Sequence, residues 1–233
     1  MKESGTLGLV AAFRREVSAL LRRQSNVERL GDGRYRFSWR GHPVLLAIAG
    51  AGAENARRAA RSLHGDARLS GLISIGFAGG LSDTLALGEV ILAEEVIEEA
   101  TGERFPCGLD LLPIPMAQRG KLLSVAAVVN SVSEKSALEG RWKALAVDME
   151  AAGVASAARE AGLPFGAVKS ITDASRQSLA IDFQRCRSQH GGLSYGKIVR
   201  EAVRTPGGLR DLVRLAGSSR RAAGSLAMAL GPA

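Results

Sequence analysis

The sequence predicts an α/β fold built on a mostly parallel central sheet. Three observations carry this reading. Short, almost continuously apolar runs recur along the chain, as expected of strands buried on both faces. Stretches with helical spacing of apolar residues separate them. Glycine-rich or acidic residues follow several of the runs, at the strand ends where such sheets bind ligands.

Taken in order, Gly5 to Ala12 is the first buried-strand candidate, and Arg14 to Leu21 follows with helical spacing through Val17, Leu20 and Leu21. Arg34 to Arg40 alternates weakly, and His42-Pro43 marks a turn. Val44 to Ala49 reads as a strand ending at Gly50-Ala51-Gly52, with a helix from Ala53 to Leu63. Leu69 to Gly76 is a third strand, ending in the glycine-rich turn Gly76-Phe77-Ala78-Gly79-Gly80. Glu89 to Val96 and Leu123 to Val129 read as two more. Lys143 to Val147 leads into a helix from Met149 to Ala161, which stops at Gly162 before Pro164. Phe165 to Ile171 is the last strand, followed by a polar loop from Thr172. Leu193 to Leu230 reads helical, broken near Pro206-Gly207-Gly208. The expected organisation is one domain over residues 1–233 whose segment from about 197 to 233 is basic and helical.

Composition narrows the function. The chain has 233 residues, 46% hydrophobic and 23% charged, which excludes a disordered tail, a collagen and a coiled coil. Aromatic residues are only 4%, so the core must be aliphatic. Cys107 and Cys186 are too few for a disulfide scaffold, and with His42, His64 and His190 scattered, no metal-ligand spacing arises. Met1 to Val10 is short and polar for a secretory signal, and no run is long enough for a membrane span, so a cytoplasmic protein is expected. The net charge of +8 is concentrated in Arg14 to Arg40 and after Lys197, while Glu89 to Glu103 is acidic. Solvated faces of an arginine-rich protein explain this better than a nucleic-acid partner, because no basic strand interleaved with aromatics is present.

Four pieces sit where chemistry is expected. Gly50-Ala51-Gly52-Ala53-Glu54-Asn55 lacks the third glycine of a dinucleotide fingerprint. Gly76-Phe77-Ala78-Gly79-Gly80-Leu81 places three glycines in five residues after a buried strand and suggests a cavity lined by backbone. Ala146-Val147-Asp148-Met149-Glu150-Ala151 runs a strand end into a small-residue helix with Glu150 near its start. Taken alone, Glu150 reads as a first-turn glutamate complementing the helix dipole. Val168-Lys169-Ser170-Ile171-Thr172-Asp173 ends a strand on an acid, which alone reads as a turn or cap aspartate.

In this order the pieces resemble the purine nucleoside phosphorylase and nucleosidase superfamily, over Gly8 to about Phe183. Within it they are most similar to the methylthioadenosine/S-adenosylhomocysteine nucleosidases and the hopanoid-associated phosphorylase-like proteins. Ser131-Val132-Ser133-Glu134-Lys135, leading to Val147-Asp148-Met149-Glu150, is closest to the hopanoid-associated branch, which removes adenine from adenosylhopane. The resemblance implies a single α/β domain with a mixed central sheet flanked by helices, and cleavage of the N-glycosidic bond of an adenine nucleoside modified at its 5′ position. It implies that Asp173 protonates purine N7 and that Glu150 grips the ribose hydroxyls with Met149 packed on the sugar. It implies further that Glu16 positions the attacking water and that Gly76, Phe77, Ala78 and Gly79 lie beneath the ribose. A homodimer or higher oligomer is implied as well.

The chemistry suits these residues. The base departs with the bonding electrons and the sugar becomes cation-like, so an acid at N7 improves the leaving group, an effect worth about 10²- to 10⁴-fold. A bidentate carboxylate suits two vicinal hydroxyls. The reaction requires no metal and no redox cofactor. Two departures from the family pattern bear on the nucleophile. Phe77 stands where a small or hydroxylated residue is usual, and would crowd the nucleophile or stack near the sugar; a nucleoside-binding protein without catalysis is the alternative this raises. The phosphate-binding arginine expected before the glycines is replaced by Ile73 to Ile75, which favours water over phosphate, with phosphorolysis through Arg14 or Arg104 as the alternative. Arg176 has no counterpart in either branch. In the terminal segment, Leu209, Leu212, Val213 and Ala216 share one helical face with Arg210 and Arg214 off it. That pattern fits a helix packed on the domain or on a second subunit, or a basic amphipathic helix lying on a membrane surface.

Overall fold

Strand β5 (Leu69–Gly80) organises the sheet because both of its edges are fully used. One edge pairs in parallel with β1 (Thr6–Ala11) and then, near its end, antiparallel with β9 (Ala146–Asp148). The other pairs in parallel with β10 (Phe165–Asp173). From β10 the sheet continues through β6 (Val90–Glu98) and β8 (Gln118–Ser124) back to β9, so five strands close on themselves. From β1 an open arm runs through β4 (His42–Ile48) and β3 (Arg34–Trp39) to β2 (Glu28–Gly31), and β7 (Arg104–Pro106) pairs with β6. Helices α1 (Arg14–Arg23), α2 (Ala53–Asp66), α3 (Val132–Trp142), α4 (Ala151–Glu160), α5 (Tyr195–Arg204) and α6 (Gly208–Ala229) flank it. The computed structural model describes residues 5–108, 114, 117–178, 185–186 and 195–231. Among these, no helix is long and apolar enough to cross a membrane.

The apolar runs form strands because they are needed on both faces. Alternate side chains of a strand point to opposite sides. Leu72 and Val10 join Ala56, Ala60 and Leu63 of α2 and Val154, Ala155 and Ala158 of α4 in one core. Ile73, Ile75, Leu7 and Leu9 join Val17 and Leu20 of α1 and Leu226 and Ala227 of α6 in the other. Small residues on α2 and α4 let those helices lie close to the sheet and to each other. The indole N–H of Trp39 donates to the carbonyl of Leu230 and ties the end of α6 to β3.

Several expectations need correction. The sheet is mixed, as the resemblance implies, and not mostly parallel as the apolar runs alone suggest, with five parallel and five antiparallel pairings, because the ring is completed by β9 and β10 running against β5 and β6 respectively. The glycine-rich stretch Gly76 to Gly80 is not a turn. It is the last part of β5, its Gly79 opposite both Asp173 and Val147. The strand expected over Leu123 to Val129 is β8, which ends at Ser124, so the apolar residues Val125 to Val129 form a loop instead. Pro43 lies inside β4, and the turn sits at Arg40-Gly41, both with positive φ. Helix α4 starts at Ala151 with Glu150 as its N-cap residue, outside the first turn. The terminal helices break at Pro206-Gly207 as expected; the expected start at Leu193, like Phe183 and His190, lies outside the described residues.

Helices α2 and α4 meet at Gly153, where a Cβ would lie 1.9 Å from the carbonyl oxygen of Ala53. That contact is with backbone, so a whole helix must move to relieve it. Gly153→Ala should therefore lose at least about 2 kcal/mol, as overpacked cores do. Gly140→Ala, in α3 with open space around it, should gain about 1 kcal/mol from helix propensity. Urea melts of the two variants check both signs.

Candidate active site

One cavity of about 300 Å³ opens at the carboxyl ends of β1, β5, β8, β9 and β10. Its walls carry every residue nominated from the sequence except Gly76: Glu16, Phe77, Ala78, Gly79, Met149, Glu150 and Asp173. Gly76 lies just beneath, against Glu16. Val125, Val128, Val129, Leu212, Leu215 and Ala216 make an apolar wall contributed by the loop after β8 and by α6. Among the described residues, no three His, Cys, Asp or Glu side chains are arranged to hold a metal ion.

Each acidic side chain is placed by local structure. Glu16 is the third residue of α1, so its Oε2 reaches back to accept the backbone N–H of Phe13 at 2.9 Å. Its Oε1 accepts the N–H of Phe77 at 3.3 Å. A Cβ on Gly76 would come within 3.0 Å of this carboxylate, and φ there is +148°, so both space and conformation call for glycine. Glu150 turns away from its own helix, and its Oε1 accepts the N–H of Gly52 at 2.8 Å. The Gly50-Ala51-Gly52 turn therefore grips a carboxylate of the protein, and Asn55 braces it by donating to the carbonyl of Ala51 at 2.7 Å. The N-terminus of α4 that Glu150 leaves open is satisfied by strand ends. Asp148 Oδ2 accepts from the N–H of Ala151 at 2.9 Å, and Ser124 Oγ from that of Ala152 at 3.2 Å.

Lys169 holds these acids together, a role the sequence reading did not assign although a lysine in an apolar strand was visible. It is fully buried in β10, 2.8 Å from Asp148 Oδ2 and donating to Ser74 Oγ at 2.9 Å. Burial works against its charge, but Asp148, Glu150 and Glu16 together outweigh burial and hold its pKa above the ordinary lysine value. One ammonium cannot neutralise three buried carboxylates. The imbalance appears on the two glutamates. Burial pushes Glu16 upward against the pull of Lys169 and two backbone N–H donors. Burial, reinforced by the charge of Asp148, pushes Glu150 up to about 7.

Asp173 ends β10 and lines the same cavity. Its Oδ1 accepts from the hydroxyl of Thr172 at 2.9 Å, and its Oδ2 from the ammonium of Lys135 at 2.5 Å. Neither Arg14 nor Arg104, the two phosphate ligands considered from the sequence, lines the cavity. Arg104 pairs with Glu95 at 2.8 Å on the surface. Arg15 does line it, with its guanidinium 5.1 Å from the ring centre of Phe13. Arg176 pairs with Asp83 at the surface.

The raised carboxyl of Glu150 has a stability consequence. A group whose folded pKa stands above its unfolded value of 4.5 favours folding below pH 4.5, and that contribution disappears as pH rises through about 7. Gln retains the acceptor for Gly52 but carries no charge. Glu150→Gln should melt above the wild type at pH 8 by about 2–4 °C for each kcal/mol recovered, and the difference should vanish near pH 4. Thermal melts at the two pH values check it.

Comparison with known proteins agrees with this architecture. A 5′-methylthioadenosine/S-adenosylhomocysteine nucleosidase of Oceanobacillus iheyensis is 25% identical over 208 residues, spanning 77% of this chain and 91% of that protein. The corresponding protein of Baumannia cicadellinicola is 26% identical over 195 residues, spanning 72% and 85%. The Neisseria meningitidis nucleosidase solved with methylthio-immucillin-A superposes with a TM-score of 0.74 at 18% identity, over 97% of each chain. The futalosine hydrolase of Helicobacter pylori gives 0.71 at 16% identity, over 99% and 97%. These two structures share the fold. The phosphorylase superfamily model matches residues 6–110 and 108–204, nearly the whole described sheet and all the acids around the cavity, and the chain belongs to that superfamily of enzymes.

Proposed function

We propose that this protein hydrolyses the N-glycosidic bond of an adenine nucleoside with an apolar 5′ substituent. The observation that carries the reading is the convergence of Glu16, Glu150 and Asp173 on one cavity with an apolar wall at one end. Glu150, beside Met149, takes the ribose hydroxyls. Asp173, a carboxylate in the free protein, takes up a proton as the nucleoside binds and gives it to N7 as the base leaves. Glu16, fixed by two backbone N–H groups, orients the attacking water, and holding that water in line removes an entropic share of the barrier. The carboxyl groups gathered around Lys169 favour a cation-like sugar over a phosphate dianion. The names of the relatives, nucleosidases acting on 5′-thio adenine nucleosides, support the same chemistry.

The finer reading concerns the substituent. Val125, Val128, Val129, Leu212, Leu215 and Ala216 offer a surface for a long aliphatic group, and the resemblance of Ser131 to Lys135 to the hopanoid-associated branch favours adenosylhopane. Phosphorolysis is the second reading, and Arg15 on the cavity wall is the observation that favours it. Adenine release from methylthioadenosine, S-adenosylhomocysteine and adenosylhopane, each with and without phosphate, tests all three. Release without phosphate is expected, fastest from adenosylhopane. Release only with phosphate transfers the nucleophile's role to phosphate, and binding without release would assign Phe77 to blocking the water. Asp173→Asn should lower kcat by about 10²- to 10⁴-fold while nucleoside binding, read by calorimetry, persists.

The helix that walls the apolar end also bears on where the protein works. The C-terminal half of α6 is packed, with Ala222, Ala223, Leu226 and Ala227 buried. Its N-terminal half and α5 expose Val199, Val203, Leu209 and Val213, the last 73% accessible, beside Arg200, Arg204, Arg210 and Arg214. Apolar residues amid arginines complement an anionic lipid surface. The protein should sediment with vesicles containing phosphatidylglycerol and not with phosphatidylcholine alone, and Val213→Ser should weaken this. A size-exclusion mass of two or more chains that Val213→Ser dissociates would instead assign the patch to the homo-oligomer implied by the resemblance.

A further inference from the structure

We infer that Lys135 is a positioning residue for the leaving-group acid, an inference that rests on the nucleosidase reading above. Lys135 sits one turn into α3, whose start is fixed by Ser131 Oγ accepting the N–H of Glu134 at 3.1 Å. It is fully buried, unlike the rest of that largely solvated helix. An ammonium has three donors, and all three are used. Nζ donates to Asp173 Oδ2 at 2.5 Å, to the carbonyl of Ala174 at 2.8 Å and to the carbonyl of Gln177 at 3.1 Å. One side chain thus fixes the acid and both ends of the turn that follows it. With the Thr172 hydroxyl on Oδ1, both carboxylate oxygens of Asp173 are held and its rotamer is set.

Packing alone does not explain this residue. Removing an ammonium from water costs several kcal/mol, and a methionine would fill the same volume without that cost. What the methionine lacks is a grip on Asp173. An acid displaced by about 1 Å from N7 loses on the order of 10²-fold in rate. Because Lys135 touches Asp173 and does not line the cavity, it acts through the acid and leaves the sugar end unaffected.

The test uses two leaving groups. Adenine needs a proton as it departs; 4-nitrophenolate, from a 4-nitrophenyl 5-methylthioriboside, leaves as the anion. In Lys135→Met, kcat for adenine release from methylthioadenosine should fall about 10²-fold with KM nearly unchanged. Turnover of the nitrophenyl riboside should stay near the wild-type rate, which also shows that the variant is folded. Lys135→Arg, which keeps the charge and the donors, should recover part of the loss on adenine. Unchanged adenine release in Lys135→Met overturns the inference. Parallel loss on both substrates in Lys135→Met, with the same in Lys135→Gln, assigns the lysine to structure alone and overturns it as well. A wild-type protein that cleaves neither substrate overturns the nucleosidase reading itself, and one that cleaves only the nitrophenyl riboside keeps the sugar site and removes the acid.

Discussion

A single buried ammonium, Lys169, holds one side of the cavity in its arrangement. It projects from β10, donates to Ser74 on β5 and pairs with Asp148 at the end of β9. Asp148 in turn satisfies the first N–H of α4. Two strands of the closed ring, a third strand end and a helix start are therefore tied through one nitrogen. An isolated ammonium at this depth would lose its proton or disrupt the core. The surrounding acids retain it, and the same acids are the ones that line the cavity. Remove the lysine, and Asp148, Glu150 and Glu16 lose the buried cation that faces them, so stability and function are coupled here.

The charge arithmetic of this cluster also explains why it suits hydrolysis of a glycosidic bond. With Glu150 raised to about 7, the cavity gains or loses negative charge near neutrality. A cation-like sugar forming in that field draws the cluster toward its ionised state, so the stabilisation is largest when the bond is breaking. The enclosure that raises the glutamates is the same enclosure that makes their charge effective.

Much of this was legible in the sequence, and the parts that were not have identifiable causes. The apolar runs revealed the buried strands because each fills two cores. Glu150 and Asp173 stand at or just past strand ends and Glu16 in the first turn of α1, inside the motifs that carry the resemblance, and all three line one cavity. The Gly76 to Gly80 stretch misled because glycines usually punctuate a strand. Here they continue β5, since Gly76 makes room for the Glu16 carboxylate. Strand β8 was displaced because Val125 to Val129 are apolar for the cavity, not for the sheet. Helix α3 escaped notice because most of its residues face solvent and Lys135, its buried contact, carries a charge. The partners of Lys135 and Lys169 lie 38 and 95 residues away for Asp173 and Ser74, and local pattern cannot reach that far.

Each of the two buried lysines holds its own set of groups beside the cavity. Lys169 is surrounded by three carboxyl groups, Asp148, Glu150 and Glu16. Lys135 meets one carboxylate, Asp173, and two carbonyls. On the proposed reading, a glycosidic bond lying between them is polarised in the direction of its cleavage, with positive charge developing on the sugar and electrons moving to the base. Neither lysine need touch substrate for this. Each fixes the position of acids on its own side, and the closed ring of strands keeps the two sides in register. The strand order makes this arrangement, because β9 and β10 flank β5 and bring Asp148, Glu150 and Asp173 to the rim of one cavity.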